Sequence, residues 1–232
     1  NSTDNQIFPR RGSEIQLSVA FTPPYSLWDG KDYANLANNP SSSTYMRELQ
    51  DKYSWIEYHK WKFKARTFTA LSGHNKCFVL MTRAEIGLLG SYNKHKPSPF
   101  ENYYMGGDGT SGYSSLYSTE TIGLRGYDNG SITPPGNMGY AYTRFSVELR
   151  YPFMLGASTN VVGLIFAEGG HCWSSIGEFN PFDMKKSVGV GARIFLPMVG
   201  LLGIDWAYGF DKVQGVSTYG GSHFHFVLGQ EF

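Results

Sequence analysis

His223-Phe224-His225-Phe226-Val227-Leu228-Gly229-Gln230-Glu231-Phe232 closes the chain as an alternating strand with an aromatic last residue. Phe224, Phe226, Leu228 and Phe232 share one face at period two, while His225 and Glu231 share the other. An apolar face set against a polar one is the pattern of a strand with lipid outside and a watery lumen inside. A one-residue slip would turn the phenylalanines into the lumen, so the same face fixes the register.

The alternation recurs upstream and predicts eight antiparallel strands, at 12–22, 54–70, 76–90, 139–152, 159–170, 185–196, 201–210 and 222–232. In the first, Ile15, Leu17, Val19 and Phe21 alternate with Glu14, Gln16 and Ser18. Trp61, Phe63 and Ala65 oppose Lys60, Lys62, Lys64 and Arg66 in the second, and Leu80, Ala84, Ile86 and Leu88 oppose Arg83 and Glu85 in the third. Phe145, Val147 and Leu149 oppose Arg144, Glu148 and Arg150 in the fourth, and Val161, Ile165 and Ala167 oppose Glu168 in the fifth. Val188, Val190 and Ile194 oppose Gly189, Gly191 and Arg193 in the sixth, and Ile204, Trp206, Tyr208 and Phe210 oppose Asp205 and Gly209 in the seventh. Phe63, Ile86, Val147, Ile194, Trp206 and Phe226 are therefore expected to face lipid.

Alternation alone fits a two-sheet sandwich as well as a barrel. The connections separate them. Residues 71–75, 152–158 and 197–200 are tight, whereas 23–52, 91–138, 171–184 and 211–222 are extended, the rhythm of short periplasmic turns and long external loops. Composition agrees: aromatics make up 16% of 232 residues and there are 28 glycines, suited to interfacial girdles and tight turns. There is no charge-free apolar run of about 18 residues, so any span must be made of strands. A net charge of +1 argues against nonspecific nucleic-acid binding. Cys77 and Cys172 are expected near opposite ends of the barrel, too far apart for a disulfide. The chain opens on Asn1 with neither a start methionine nor an export signal, and reads as a fragment or processed piece.

Five further stretches resemble the BamA-type barrel-assembly family. Ile7-Phe8-Pro9-Arg10-Arg11-Gly12-Ser13 is similar to its Phe-Pro-x-x-Gly periplasmic turn, and Phe100-Glu101-Asn102-Tyr103-Tyr104-Met105-Gly106-Gly107 to the entry of its long sixth external loop. Leu124-Arg125-Gly126-Tyr127 matches the tip of that loop. Phe166-Ala167-Glu168-Gly169-Gly170 matches a Phe-x-Asp-x-Gly strand motif, with Glu in place of Asp, and Gly191-Ala192-Arg193-Ile194-Phe195-Leu196-Pro197 resembles the Gly-x-Arg-x-x-x-Pro strand before the last hairpin.

The resemblance implies an all-β antiparallel transmembrane β-barrel of roughly sixteen strands, of which this chain supplies the eight carboxy-terminal ones. Its partners would be the amino-terminal half of the same barrel, periplasmic POTRA domains outside this chain, accessory assembly-complex subunits, client outer-membrane proteins, and outer-membrane lipid and lipopolysaccharide. It also implies that Arg125 folds into the lumen and pairs with Glu168, stacking on Phe166, with Leu124, Gly126 and Tyr127 at the loop tip and Arg193 and Asp205 lining the same interior. Arginine suits this place because its planar fork binds carboxylates bidentately and stacks on rings. Glu168 is one methylene longer than the family's Asp and would carry its carboxylate further into the lumen. Phe224, Phe226, Leu228, Gly229 and Phe232 would form a lateral-gate strand, weakened at Gly229, to which a client strand adds by β-augmentation.

Other chemistry is poorly supported. Gly107-Asp108-Gly109-Thr110-Ser111-Gly112 fits G-x-G-x-x-G but lacks the strand before it and helix after it that dinucleotide binding requires. His171-Cys172 and His223/His225 join no ligand set at zinc spacing, so no metal or other cofactor is expected. The Lys60, Lys62, Lys64 and Arg66 stripe reads as a solvated lumen wall, with anionic lipid or substrate contact as the alternative. No nucleophile, base and acid set marks an enzyme. The expected function is insertion of client barrels into the bacterial outer membrane; the alternative is a passive pore or ligand-binding barrel.

Overall fold

The computed structural model describes residues 1–74, 76–109, 120–156, 159–198, 200–213 and 219–228. Its strands are β1 (Gly12–Phe21), β2 (His59–Ala70), β3 (Val79–Gly90), two short strands β4 (Tyr103–Met105) and β5 (Glu120–Ile122), β6 (Ala141–Leu155), β7 (Asn160–Trp173), β8 (Lys185–Leu196), β9 (Gly200–Lys212) and β10 (Tyr219–Leu228). The eight long strands form one antiparallel sheet in the order β1-β2-β3-β6-β7-β8-β9-β10, and β4 pairs with β5 in parallel. Every expected strand is present, and sequence neighbours are sheet neighbours throughout. β1 and β10 are the edges of this open sheet.

Period-two alternation decides which residues point outward. Phe63, Val147, Trp206 and Phe226 stand exposed on the outer face, while Ile86 and Ile194 on the same face are half-buried among their neighbours. Such a contiguous apolar surface is unfavourable against water and matched to hydrocarbon. The inner face carries Lys60, Arg83, Glu85, Glu148, Arg150, Glu168, Arg193 and Asp205, all buried. Among the described residues no helix is long and apolar enough to cross a membrane.

Several boundaries differ from expectation. β2 starts at His59 rather than residue 54, because Glu57 turns inward to accept a hydrogen bond from the Ser26 amide at 2.8 Å. Buried Lys96 lies 4.0 Å from Glu57 and over the Tyr33 ring, and the Tyr33 hydroxyl donates to Asp29. That cluster joins the β1–β2 connection to the segment after β3. The same β1–β2 connection holds a short helix, α1 (Tyr45–Lys52), where only an extended loop was expected. β9 runs to Lys212 and β10 begins at Tyr219, so both strands enter the expected 211–222 loop, of which residues 214–218 lie outside the described residues. Residues 229–232, expected to finish the last strand, lie outside the described residues, and so do Gly229 and Phe232 of the expected gate strand.

The Phe-Pro turn before β1 is built by side chains that replace missing backbone partners. Asp4 Oδ1 accepts from the Arg10 and Arg11 amides at 2.8 and 3.2 Å, and Asn5 Oδ1 accepts from Ile7 and Phe8 at 2.8 and 3.1 Å. The Ser2 and Asp4 amides then donate to the Ser13 and Arg11 carbonyls at 2.8 and 3.1 Å, one bond to the start of β1 and one just before it. Cys77 and Cys172 are both buried free thiols.

Candidate functional site

Between β3 and β6 the chain turns back into the lumen rather than out into solvent. Its return path is a small apolar core: Tyr103, Met105, Ile122, Leu124 and Tyr127 pack with Leu89 of β3, Tyr142 of β6 and Cys172 of β7. Leu124 bridges to Gly107, and Met105 N–H donates to Thr133 Oγ1 at 2.8 Å. Burying these large side chains stabilises a loop that would otherwise bear the full entropy of ordering. The tip, Leu124 to Tyr127, is thereby held against the inner wall.

At the tip Arg125 is 5% exposed and surrounded by carboxylates. One Nη2 lies 2.6 Å from Glu148 Oε1 on β6 and 2.6 Å from Glu168 Oε1 on β7, and Nη1 lies 3.0 Å from Asp205 Oδ2 on β9. The Arg125 amide also donates to Glu168 Oε2 at 3.1 Å. Its guanidinium carbon sits 3.5 Å from the Phe166 ring centroid. The longer Glu168 side chain thus reaches both the backbone and the side chain of the same loop residue.

Each carboxylate also has a strand-borne arginine of its own. Arg150 meets Glu148 at 2.7 Å, Arg144 meets Glu168 at 3.0 Å, and Arg193 forks onto Asp205 at 2.6 and 2.7 Å. Ser146 Oγ adds a 3.0 Å hydrogen bond to Glu168. Arg125 is therefore the shared extra cation, delivered by the loop onto pairs that the sheet already forms.

Two features let the backbone of the tip approach this closely. Gly126 has φ +88°, a left-handed conformation that other residues adopt at a cost. Opposite it, the inward face of β9 is bare at Gly209, where a Cβ would lie 2.3 Å from the Gly126 carbonyl oxygen. Gly126 N–H donates to His225 Nε2 on β10 at 2.9 Å, and the Tyr127 hydroxyl donates to the Lys186 carbonyl on β8 at 2.7 Å.

Leu124, Arg125, Gly126, Tyr127, Phe166, Glu168, Arg193 and Asp205 thus meet in one place. Glu148, Arg144, Arg150, Ser146 and His225 join them without having been assigned to this cluster beforehand. Their inward orientation was readable from alternation, but their meeting depends on register, in which Ser146 lies opposite Glu168 and Gly191 opposite Asp205. Phe224 and Phe226 lie on the outer face of β10, away from this cluster, and Leu228 ends the strand.

The remaining candidates have other surroundings. Lys60 pairs with Glu101 at 3.0 Å and Glu120 at 3.4 Å, Lys62 with Glu120, Lys64 with Glu85 at 3.8 Å and Arg66 with Glu14 at 2.6 Å. That stripe is a neutralised wall. Gly107 and Gly109 of the glycine-rich hexapeptide have positive φ, and its last three residues lie outside the described residues. His171 lies 4.0 Å from Asp183, and no metal-binding group of three or more His, Cys, Asp or Glu occurs among the described residues.

Three comparisons place this architecture. The Omp85 superfamily domain matches residues 1–232. The outer membrane protein assembly factor BamA of Neisseria meningitidis serogroup B is 32% identical over 173 residues, which is 73% of this chain and 19% of that protein. The crystal structure of BamA from Haemophilus ducreyi lacking POTRA domains 1–3 superposes with a TM-score of 0.63 at 19% identity, covering 97% of this chain and 40% of that one. The chain thus spans about a fifth of the length of its curated relative. An eight-stranded sheet with a lipid-matched outer face, a charged lumen and a whole-length family match make the chain a BamA-like member of the Omp85 superfamily, located in the bacterial outer membrane.

Proposed function

We propose that the chain is the carboxy-terminal half of a barrel of roughly sixteen strands that inserts client β-barrels into the outer membrane. The Ser2 amide's bond to Ser13 at the start of β1 marks that edge as free to take a preceding strand, and an open backbone edge in lipid is too costly to leave unpaired. POTRA domains, accessory subunits, client proteins and lipopolysaccharide are the partners this reading entails. Insertion proceeds without bond chemistry: the barrel lowers the barrier by offering the edge of its terminal strand as a template for the client's last strand.

The observation that carries this reading is the seating of Arg125. Its three carboxylates each keep a strand-borne arginine without it, so the loop is held by contacts the sheet does not need. Such an arrangement suits a conformation that must persist or release during work. A passive pore needs an open lumen, and the buried loop tip argues for the insertase instead.

In the full-length protein, Arg125→Ala is expected to reduce client assembly several-fold more than it reduces the abundance of the protein itself. Equal losses of both would reduce Arg125 to a folding residue. A disulfide between β10 and the first strand of the complete barrel should leave the protein folded and unable to insert clients. Wild-type client assembly by that locked form would remove the lateral gate from the mechanism.

A further inference from the structure

The lumen loop and the terminal strand meet at a polar contact that the loop motif does not account for. His225, 6% exposed on the inner face of β10, accepts the Gly126 N–H through Nε2 at 2.9 Å. The surrounding contacts are close: a Cβ on Gly220 of β10 would lie 2.6 Å from the Gly126 carbonyl oxygen, and His223 Nδ1 lies 3.4 Å from Asp128. The loop tip therefore rests on the last strand as well as on the three carboxylates.

An imidazole nitrogen accepts a hydrogen bond only while it carries no proton, and in the imidazolium both nitrogens are donors. Protonation would turn His225 Nε2–H against the Gly126 N–H and remove the acceptor. Arg125 of the loop tip and His223, stacked 6.0 Å away on the same strand, add to the repulsion. Asp205, directly across on β9, and Asp108 at the loop entry oppose it. Asp205 is already engaged by Arg193 and Arg125, which limits what it can offer a second cation.

We propose that His225 is a positioning residue that ties the lumen loop to the terminal strand through its unprotonated Nε2, so that loop seating and strand position are coupled and acid releases the tie. Its consequence for client insertion rests on the insertase reading above; its effect on the loop does not. A strand-borne carboxylate in the same place would be a permanent acceptor, whereas an imidazole makes the contact conditional on protonation.

The test places spin labels on Asn129→Cys at the exposed loop and Phe210→Cys on the outer face of β9 in the full-length protein, leaving the Asp128 contact to His223 in place, with Cys77 and Cys172 buried. With His225 present, one short distance at about pH 7.5 should give way to a longer population toward about pH 5. His225→Gln retains a neutral acceptor and should hold the short distance throughout. His225→Phe keeps a ring without the acceptor and should show the longer population at both pH values. In client assembly at matched abundance, His225→Phe should lose about fivefold, the equivalent of one hydrogen bond, and His225→Gln should recover most of that loss without the fall in acid. An unchanged distance in His225→Phe, or the same acid response in His225→Gln, overturns the tie. A freed loop with wild-type client assembly upholds the tie and counts against the insertase reading.

Discussion

On β2 the cations Lys62, Lys64 and Arg66 each meet one carboxylate, in side chains that keep partial access to water, while Lys60 is buried between Glu101 and Glu120. Across the lumen, Arg125, Arg144, Arg150 and Arg193 converge on Glu148, Glu168 and Asp205, whose side chains are almost wholly buried. Apart from part-exposed Arg66 and buried Lys60, the residue type follows the water. A lysine is a compact, strongly hydrated charge on a flexible stem, adequate where solvent completes its shell. A guanidinium offers five donors in a fixed plane and tolerates dehydration, so it can bridge several carboxylates at once. The first wall is made of separate ion pairs; the second holds a loop in one position.

Removing a carboxylate from the dehydrated wall should have the largest effect. Glu168→Ala takes from Arg144 the carboxylate it bonds and from Arg125 two of its contacts. Breaking a buried pair from one side costs about 3–5 kcal/mol, and a lower unfolding temperature by heat-modifiable gel mobility should report it. Arg125→Ala should cost less, because each acid keeps a partner. If the two variants melt alike, Arg125 is as integral to the sheet as Glu168 and the distinction between loop contacts and wall contacts fails.

Gly209→Ala comes next. Its Cβ would overlap the Gly126 carbonyl oxygen, a backbone atom that no change of rotamer can move aside, so the tip must lift. The strand ladder of β9 should persist while Arg125 becomes accessible, so external trypsin should cut after Arg125 in the variant and leave the wild-type loop intact. A protected loop in Gly209→Ala would show that the wall yields there.

The smallest effect belongs to β2. Lys62→Ala should change stability by less than about 1 kcal/mol, as expected for a partly exposed ion pair. Salt sharpens the contrast: raising it to about 1 M, where the Debye length is about 3 Å, should erase the Lys62→Ala difference. The same salt should leave most of the Glu168→Ala loss in place. Equal salt sensitivity in both variants would mean that the two walls are equally wet.

Much of this was present in the chain as a string. The alternation of Phe224 and Phe226 with His225, repeated in seven further segments, assigned the eight strands of the large sheet and its lipid face but not the short β4 and β5, because side-chain direction in a strand is a local consequence of backbone geometry. The alternation of short and long connections gave the order of turns and loops, and the Leu124-Arg125-Gly126-Tyr127 stretch marked the loop that enters. Strand ends were less legible: β2 begins late because Glu57 is drawn to Ser26, a partner 31 residues away. Tertiary structure alone decided which groups meet Arg125. Its partners lie 23, 43 and 80 residues distant, and His225 lies 99 residues from the Gly126 amide it receives. Alternation tells which face a residue occupies but not its height on the wall, since height is set by register and by the curvature that brings β6, β7, β9 and β10 around one point.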